Sequence, residues 1–464
     1  MSSWSATAHK WVSRNALLPL SRLQRRAHPS RRPTIEAFDE SMRFRKESVS
    51  WSDDQRRAWI LERLRFSVRR AHRETTYYRE LFNRVGFDPQ ADFSFDDYAK
   101  LPVLEREAIR LAGKEIVSTA VDPRQLQKDA TGGSTGEPTT IWLGPEERGW
   151  RDAAKEHFLE LIGAPAGVPA ANYWGHHLDP VTSDSLRERF YNFAHNTRWF
   201  DCFRQSPEVF EQYHKEFERW RPARINAYAS ALGYFAEYLL EKGYQPNYPT
   251  QCFETGAEKL LPHHREAIEK AFRRPVHERY GSRDAGYIGF QIQPTRTLDY
   301  QIDWSNIMLE PETEEPDSPI LITKLHADGM PMLRYRIGDL GRFPAGSKPG
   351  HPTLTLHEVI GRETERVWLP DGRFVIAILL PHMMKDQPVR EFMFHQQADY
   401  SVELSIVPKN GFDEKSRQEI LKTVNDNLPG IAVSLNLVDQ IPRTKANKWR
   451  PVLSDVKSLS GESK

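Results

Sequence analysis

The chain has 464 residues, with 65 Lys and Arg against 64 Asp and Glu, so its net charge of +1 gives no global field favouring nucleic acid or an anionic membrane. Hydrophobic residues at 39%, charged residues at 28%, 32 Pro and 26 Gly exclude a disordered, collagenous or coiled-coil chain, and the length suffices for a large core plus a smaller module. Two cysteines, Cys202 and Cys252, exclude a disulfide framework and a Cys-rich zinc site, and fit a reducing compartment.

The start of the chain carries Lys10, Arg14, Arg22, Arg25, Arg26, Arg31 and Arg32 with no acid before Glu36. Such a stretch reads as a transit peptide, a membrane-surface patch or a plain basic arm. Its apolar core at 16–20 is too short for a secretory signal, and residues 1–50 are taken as a basic arm. From Ser52, an N-cap serine, Asp53 and Asp54 precede apolar residues at Ile60, Leu61, Leu64, Val68 and Ala71, which predicts an amphipathic helix. A second helical piece over 77–85 ends at Gly86, and Leu101-Pro102 opens a third over 106–111. Beyond this helical preface the texture alternates between strands such as 319–325 and helices such as 230–242 and 262–272, the pattern of an α/β domain. The longest apolar run, 374–380, is far short of the about 20 residues a membrane helix needs, so the chain reads as soluble and cytoplasmic.

The last hundred residues read as a small α+β unit. Val402, Leu404 and Ile406 alternate as a strand, and Asn410-Gly411 turns. Ile420, Leu421, Val424 and Leu428 line one helix face, and Ile431, Val433, Leu435 and Leu437 alternate again. The Glu-, Arg-, Pro- and Gly-rich stretch at 361–372 marks the boundary, giving a large domain over 51–360 and a small one over 361–464.

The segment TGGSTGEPT at 131–139 interleaves three glycines with Ser134 and Thr135, so that backbone N–H groups and hydroxyls turn inward as they do around phosphate oxygens. No lysine follows its last glycine, which disfavours the GxxxxGK[ST] loop of kinases. Taken alone, the segment equally reads as a solvated turn. Four more motifs follow in order: YGSRD at 280–284, YRIGD at 335–339, IGRETE at 360–365 and IPRTKANKWR at 441–450.

These five ordered motifs resemble those of the adenylate-forming superfamily of acyl-CoA synthetases, peptide-synthetase adenylation domains and luciferases. The preface with TTYYRELFNRVGF and LPVLEREAIR resembles the branch of phenylacetate-CoA ligases and CapK-like proteins. The likeness covers about residues 60–455 and implies an α/β fold: a large adenylate-forming domain with a helical preface, plus a small mobile α+β C-terminal domain.

The resemblance assigns roles residue by residue. Thr131, Gly132, Gly133, Ser134, Thr135 and Gly136 would wrap the β- and γ-phosphates of ATP. Gly256, Ala257 and Glu258 match the loop beside the adenine, and Tyr280, with Gly281 and Ser282, matches the aromatic segment that stacks on it. Asp284 takes the position of the magnesium-associated glutamate, and Asp339 with Arg362 matches the pair that holds the ribose. Glu365 falls at the hinge of the small domain, and Lys448 matches the mobile catalytic lysine. Each role has physical sense: a carboxylate accepts both ribose hydroxyls, and an ammonium offsets charge on an α-phosphate. Each also has a plain counterpart, a turn for Asp339 and a solvated basic face for Lys448 beside Lys445 and Arg450.

Three departures stand out. Glu137 brings negative charge to the phosphate loop, Asp284 is one methylene shorter than glutamate, and Asn447 replaces the glycine before the catalytic lysine. The acyl pocket is expected between the phosphate loop and Tyr280, with Tyr173, Trp174, His176, Tyr228 and Tyr287 as aromatic walls suited to an aromatic or compact acid; the same residues also read as ordinary core. The pair His176-His177 lacks ligands at metal spacing. The implied activity is activation of a carboxylic acid with Mg·ATP to acyl-AMP and pyrophosphate, then transfer to a thiol, with CoA the commonest acceptor. An amine acceptor, a carrier protein and a non-catalytic nucleotide-binding homologue remain the alternatives. Oligomeric state is not legible.

Overall fold

Inside the expected basic arm the chain forms a long helix, α1 (Arg32–Glu47), which opens on a proline in its first turn, where a missing N–H costs nothing. The computed structural model describes residues 31–130, 139–175, 190, 192–362, 366–370, 374–376, 384, 387–442 and 451–456. The helical preface continues with α2 (Asp53–Glu74), α3 (Thr76–Val85), α4 (Phe95–Ala99) and α5 (Arg106–Ala112). Ser52 and Gln55 form a reciprocal capping box at the start of α2, and Ile60, Leu64, Val68 and Ala71 are fully buried along one face. Gly86, at φ +67°, ends α3 in the left-handed conformation that glycine adopts without strain.

The alternating region holds β1 (Gln127–Ala130), β2 (Thr140–Leu143), α6 (Pro145–Leu161), β3 (Ala170–Trp174), β4 (Thr197–Asp201), α7 (Pro207–Trp220), β5 (Arg224–Tyr228), α8 (Ala229–Glu241), β6 (Cys252–Gly256), α9 (Pro262–Phe272), β7 (Val276–Ser282) and β8 (Gly286–Phe290). It continues through β9 (Tyr300–Ile302), β10 (Ile307–Pro311), β11 (Asp317–Lys324), β12 (Tyr335–Arg342), β13 (Thr355–Leu356) and β14 (Glu358–Arg362). Among the described residues the largest sheet has the order β13-β9-β8-β7-β6-β5-β3-β4, with β4, β3, β5, β6 and β7 parallel and β7, β8 and β9 antiparallel. One face of its parallel part is an apolar core of Tyr173, Ile225, Phe253, Phe235 and neighbours under α7, α8 and α9, the even burial expected where helices cover a parallel sheet. A second core joins the preface helices to β10, β11 and β12.

Residues 32–50 correct the expectation of a basic arm. A Cβ on Gly149 would stand 2.4 Å from the carbonyl oxygen of Thr34 and 2.6 Å from Ala37 Cβ, so glycine permits the close crossing of α1 and α6. Phe44 stacks on Trp59 at 4.6 Å, and Arg45 reaches both oxygens of the buried Asp303. The buried stripe of α1 is Ala37, Ser41 and Arg45, not an apolar row, which is why periodicity passed over it. Residues 1–30 lie outside the described residues.

The chain divides into one unit of residues 1–337 with 341–359 and another of residues 338–340 with 360–464. The second unit contains β15 (Arg366–Trp368), β16 (Phe374–Ile376), β17 (Val389–Gln396), β18 (Val402–Pro408), α10 (Glu414–Asn427), β19 (Val433–Leu437) and β20 (Val452–Ser454). Its sheet runs β19-β18-β17-β20, and Phe394, Leu404, Ile406, Ile420 and Val424 fill its core. Leu437, expected on the inner face, is exposed because β19 is an edge strand whose end passes the core. Among the described residues no helix is long and apolar enough to cross a membrane.

Candidate active site

The parallel strands β3, β5, β6 and β7 end at Trp174, Tyr228, Gly256 and Ser282. Chain order reverses between β3 and β5, since β3 leads outward to β4 on one side while β5, β6 and β7 follow on the other. In open α/β sheets ligands settle in the crevice outside the carboxyl ends of strands at such a reversal. Trp174 and Tyr228 flank it, their rings 4.3 Å apart.

Several motif residues gather along this edge. A Cβ on Gly281 would lie 2.4 Å from the carbonyl oxygen of Gly286, so the turn between β7 and β8 closes only around glycine. Ser282 Oγ accepts the N–H of Ala285 within the turn. Tyr280 is 8% exposed and packs edge-on to Tyr300, so only a small part of its ring is open to a stacking partner. Ala257, at the end of β6, holds φ at +67°, a strained conformation for a residue with a Cβ and one that clusters at functional sites. Its neighbour Gly256 leaves room for Arg279, whose Nε would meet a Cβ there at 2.9 Å, and Glu258 accepts the hydroxyl of Ser230 at 2.6 Å. Pairing of β1 with β2 sets Ala130 opposite Thr140, and Asp129 of β1 lies 4.0 Å from Arg283 of the YGSRD turn. Thr131, Gly132, Gly133, Ser134, Thr135 and Gly136, which join these strands, lie outside the described residues, as do His176, Glu365 and Lys448.

Asp284 is 3% exposed. Its Oδ2 accepts the hydroxyl of Tyr335 at 2.7 Å and faces Arg106 of α5 at 3.5 Å. Burial, then the charge of Asp284, pushes the Tyr335 hydroxyl well up, so it stays a donor. Among the described residues no group of three or more His, Cys, Asp or Glu side chains is arranged to hold a metal ion. Asp284 is a buried carboxylate with one oxygen engaged by Tyr335 and faced by Arg106. Arg106 was not anticipated; its only sequence signal is an arginine at the first position of a predicted helix.

The expected acyl walls separate by face. Tyr173 points into the apolar core, 5.9 Å from Tyr213 and 6.1 Å from Phe235, because neighbours along a strand face opposite ways. Trp174, Tyr228 and Tyr287 share the other face, and Arg279 lies between Trp174 at 5.2 Å and Tyr287 at 5.1 Å. Beneath them Glu254, 1% exposed, pairs with Arg224 and with Arg279 Nε at 2.9 Å, and accepts the hydroxyl of Tyr287 at 3.3 Å. Burial alone would raise the Glu254 carboxyl; Arg224, followed by Arg279, outweighs it and holds the group below its ordinary range. These charged residues sit inside strands that otherwise read as apolar, which is the signal that could have found them.

In the second unit, Asp339 lies within β12, not in a turn. Arg362 Nη1 donates to Asp339 Oδ1 at 3.0 Å, and Gly338, at φ +83°, turns the backbone just before the carboxylate.

Residues 367–455 match the CapK C-terminal domain family. Protein CapK of Staphylococcus aureus is 21% identical over 367 residues, covering 77% of this chain and 80% of that protein. Phenylacetate-coenzyme A ligase of Pseudomonas putida is 22% identical over 342 residues, covering 68% of this chain and 72% of that one. A solved structure of 2-hydroxyisobutyryl-CoA ligase in the postadenylation state, in complex with R3-HIB-AMP, superposes with a TM-score of 0.68 at 18% identity over 88% of this chain and 91% of that chain, a shared fold.

Proposed function

We propose that this chain, which stands in the CapK-like and phenylacetate-CoA ligase branch of the adenylate-forming superfamily, activates a carboxylic acid with Mg·ATP and passes the acyl group to CoA. One carboxylate oxygen of the acid attacks the α-phosphorus, the bond to the bridging oxygen breaks, and acyl-AMP and pyrophosphate form. A thiolate then attacks the acyl carbon and AMP leaves. The observation that carries the reading is the meeting of the YGSRD turn, the 256–258 loop and the β1–β2 pair at the carboxyl edge of a parallel sheet, beside a reversal of strand order.

In this reading Thr131, Gly132, Gly133, Ser134, Thr135 and Gly136 hold the phosphates, and Gly256, Ala257, Glu258, Tyr280, Gly281 and Ser282 hold the adenine side. Asp339 accepts the ribose hydroxyls with Arg362 orienting it, Asp284 meets the metal, and Glu365 is the hinge. Lys448 supplies positive charge to the α-phosphate and the attacking carboxylate. When bound, magnesium would neutralise charge on the phosphates. Positioning and electrostatics provide most of the effect, since phosphoryl chemistry asks little covalent work of the protein. Trp174, Tyr228 and Tyr287 wall the acyl end.

Pyrophosphate exchange into ATP with a panel of acids tests the first step without knowledge of the acceptor. Lys448→Ala is expected to cost about two to three decades of exchange rate, the loss typical of one preorganised charge-stabilising group. Lys445→Ala, of the same charge three residues away, should change it little. Absence of exchange with every acid, or equal losses in the two variants, overturns the assignment.

A further inference from the structure

The helix α6 covers the sheet face that carries Glu254. Phe158 stacks on Phe290 at 4.6 Å, and the carbonyl oxygen of Ile162 faces Cys252 Sγ at 3.8 Å. Lys155, an exposed residue, lies one turn before Phe158 on the same side of the helix. Asn172 and Asn226 occupy the middle of the central strands on this face, hydrogen-bonded to each other at 3.1 Å. They keep part of their surface accessible where a packed layer would bury it. The face is therefore a recess. Its rim is Trp174 and Tyr228, and its floor, at the level of Asn226 and Glu254, lies two residues lower, about 7 Å.

The charges of this recess do not balance. Among the described residues Arg224 and Arg279 both pair with one buried carboxylate, Glu254, while the exposed Lys155 and Asp152 stand together on α6. The hydrogen-bond capacity does not balance either. Two guanidinium groups and an ammonium offer more donors than one carboxylate and one phenol can use, and the Nε of Arg224, a residue 7% exposed, is buried with no acceptor. A buried donor left unmatched costs free energy, and in a native recess it points to a group that arrives with the ligand. Trp174 and Tyr287 hold the Arg279 guanidinium between their rings, which fixes the planar fork that binds a carboxylate.

Resting on the acid-activating reading above, we propose that the substrate is a compact acid carrying a second anionic group, a dicarboxylic acid, whose far carboxylate enters this recess and meets Arg224, Arg279 and Lys155 while the near one is adenylated. The depth matches a short aliphatic spacer or a single benzene ring between the two carboxylates. The far carboxylate is bound and not consumed; the products are the monoacyl adenylate and pyrophosphate.

Matched pairs of acids in the pyrophosphate-exchange assay test this: glutarate against valerate, adipate against hexanoate, and terephthalate against 4-methylbenzoate. At least one diacid should exceed its monoacid partner by about tenfold or more in kcat/KM, the value of a charge-assisted contact. Lys155→Met should raise the KM of that diacid by about tenfold and leave the monoacid nearly unchanged. The paired change Arg224→Leu with Glu254→Leu removes one charge of each sign, so neither partner stays buried alone, and it should also erase the preference for diacids. Monoacids used as well as or better than diacids in all three pairs overturn the proposal and leave acid activation standing. A Lys155→Met effect confined to the KM of ATP would assign the positive charge to phosphates and overturn it too. If none of these acids supports exchange, acid activation itself fails and this proposal falls with it.

Discussion

The hydroxyl of Tyr335, at the first position of YRIGD, donates to Asp284, at the last position of YGSRD, across 2.7 Å of buried space. Two motifs 51 residues apart are thus joined at a single carboxylate oxygen, which Arg106 also faces. Tyr335→Phe removes the donor and keeps the ring. It should cost about 1 kcal/mol of stability. If Asp284 serves the metal, the magnesium concentration for half-maximal pyrophosphate exchange should also rise by about tenfold, as when a partner of a metal-binding carboxylate is removed. A stability loss with an unmoved magnesium requirement would confine Asp284 to a structural role.

Much of this architecture was readable in the sequence because its signals are local. The serine cap and apolar row of α2, the glycine after α3 and the alternation of Val402, Leu404 and Ile406 are decided within a few residues, and the elements stand where those signals put them. What was not legible depends on partners distant in the chain. Arg45 is a surface residue by composition and a buried one only because Asp303 waits 258 residues later. Tyr173 and Trp174 are equally aromatic, and only the pleat, fixed once β3 pairs with β4 and β5, decides which of them faces the recess. Arg224, Glu254 and Arg279 lie on three strands, so the charge they assemble exists only when β5, β6 and β7 align.

Asp339→Ala should weaken ATP binding by about ten- to hundredfold, the worth of charge-assisted hydrogen bonds to two hydroxyls. Arg362 donates to the same carboxylate at 3.0 Å, so Arg362→Ala should lose part of the same binding energy, and the double variant should lose less than the sum of the two. Calorimetric titration of ATP into the three variants measures this. Strictly additive losses would show that the two residues bind separate parts of the nucleotide, and an unchanged dissociation constant in Asp339→Ala would remove its ribose role.

Acid sensitivity has a specific source in His326. Its ring stacks on Trp150 at 3.4 Å, its Nε2 lies 3.1 Å from the carbonyl oxygen of Ser305, and Arg63 approaches its Nδ1 at 2.8 Å. A neutral ring donates from Nε2 to Ser305 and accepts at Nδ1 from Arg63, which also donates to the Glu146 carboxylate that stands 3.0 Å from the same nitrogen. Burial, with Arg63 adding to it, pushes the group down to about 4 despite Glu146. Between about pH 6.5 and pH 4 the unfolded chain therefore binds a proton that the native ring refuses, so stability falls as pH falls through that window, by roughly 3 kcal/mol in all. His157, lowered to about 4, acts in the same direction, whereas Asp328, raised to about 6, acts oppositely. The test is consequently the difference between wild type and His326→Gln in urea unfolding. The advantage of the wild type at pH 7 should shrink by about 3 kcal/mol at pH 4. A constant difference would mean that the ring is not the titrating group.

Finally, α1 should prove to be part of the fold. Arg45 and Asp303 have side chains 5% and 2% exposed, Arg45 Nε also donates to Ser41 at 3.2 Å, and Ser305 donates to Asp303 at 3.0 Å. Removing one partner of such a pair leaves the other charge buried and uncompensated, which costs about 3 to 5 kcal/mol, whereas replacing both by apolar residues of similar size is often neutral. Arg45→Met is thus expected to lower stability by about 3 kcal/mol, and the double change Arg45→Met with Asp303→Leu to restore most of it. Urea unfolding of the variants provides the comparison. A chain beginning at residue 51 should be destabilised at least as much, because it also strips Phe44 from Trp59 and Trp304. If Arg45→Met instead stays within about 0.5 kcal/mol of the wild type, as a surface substitution would, the α1 segment behaves as the dispensable basic arm that its composition suggests.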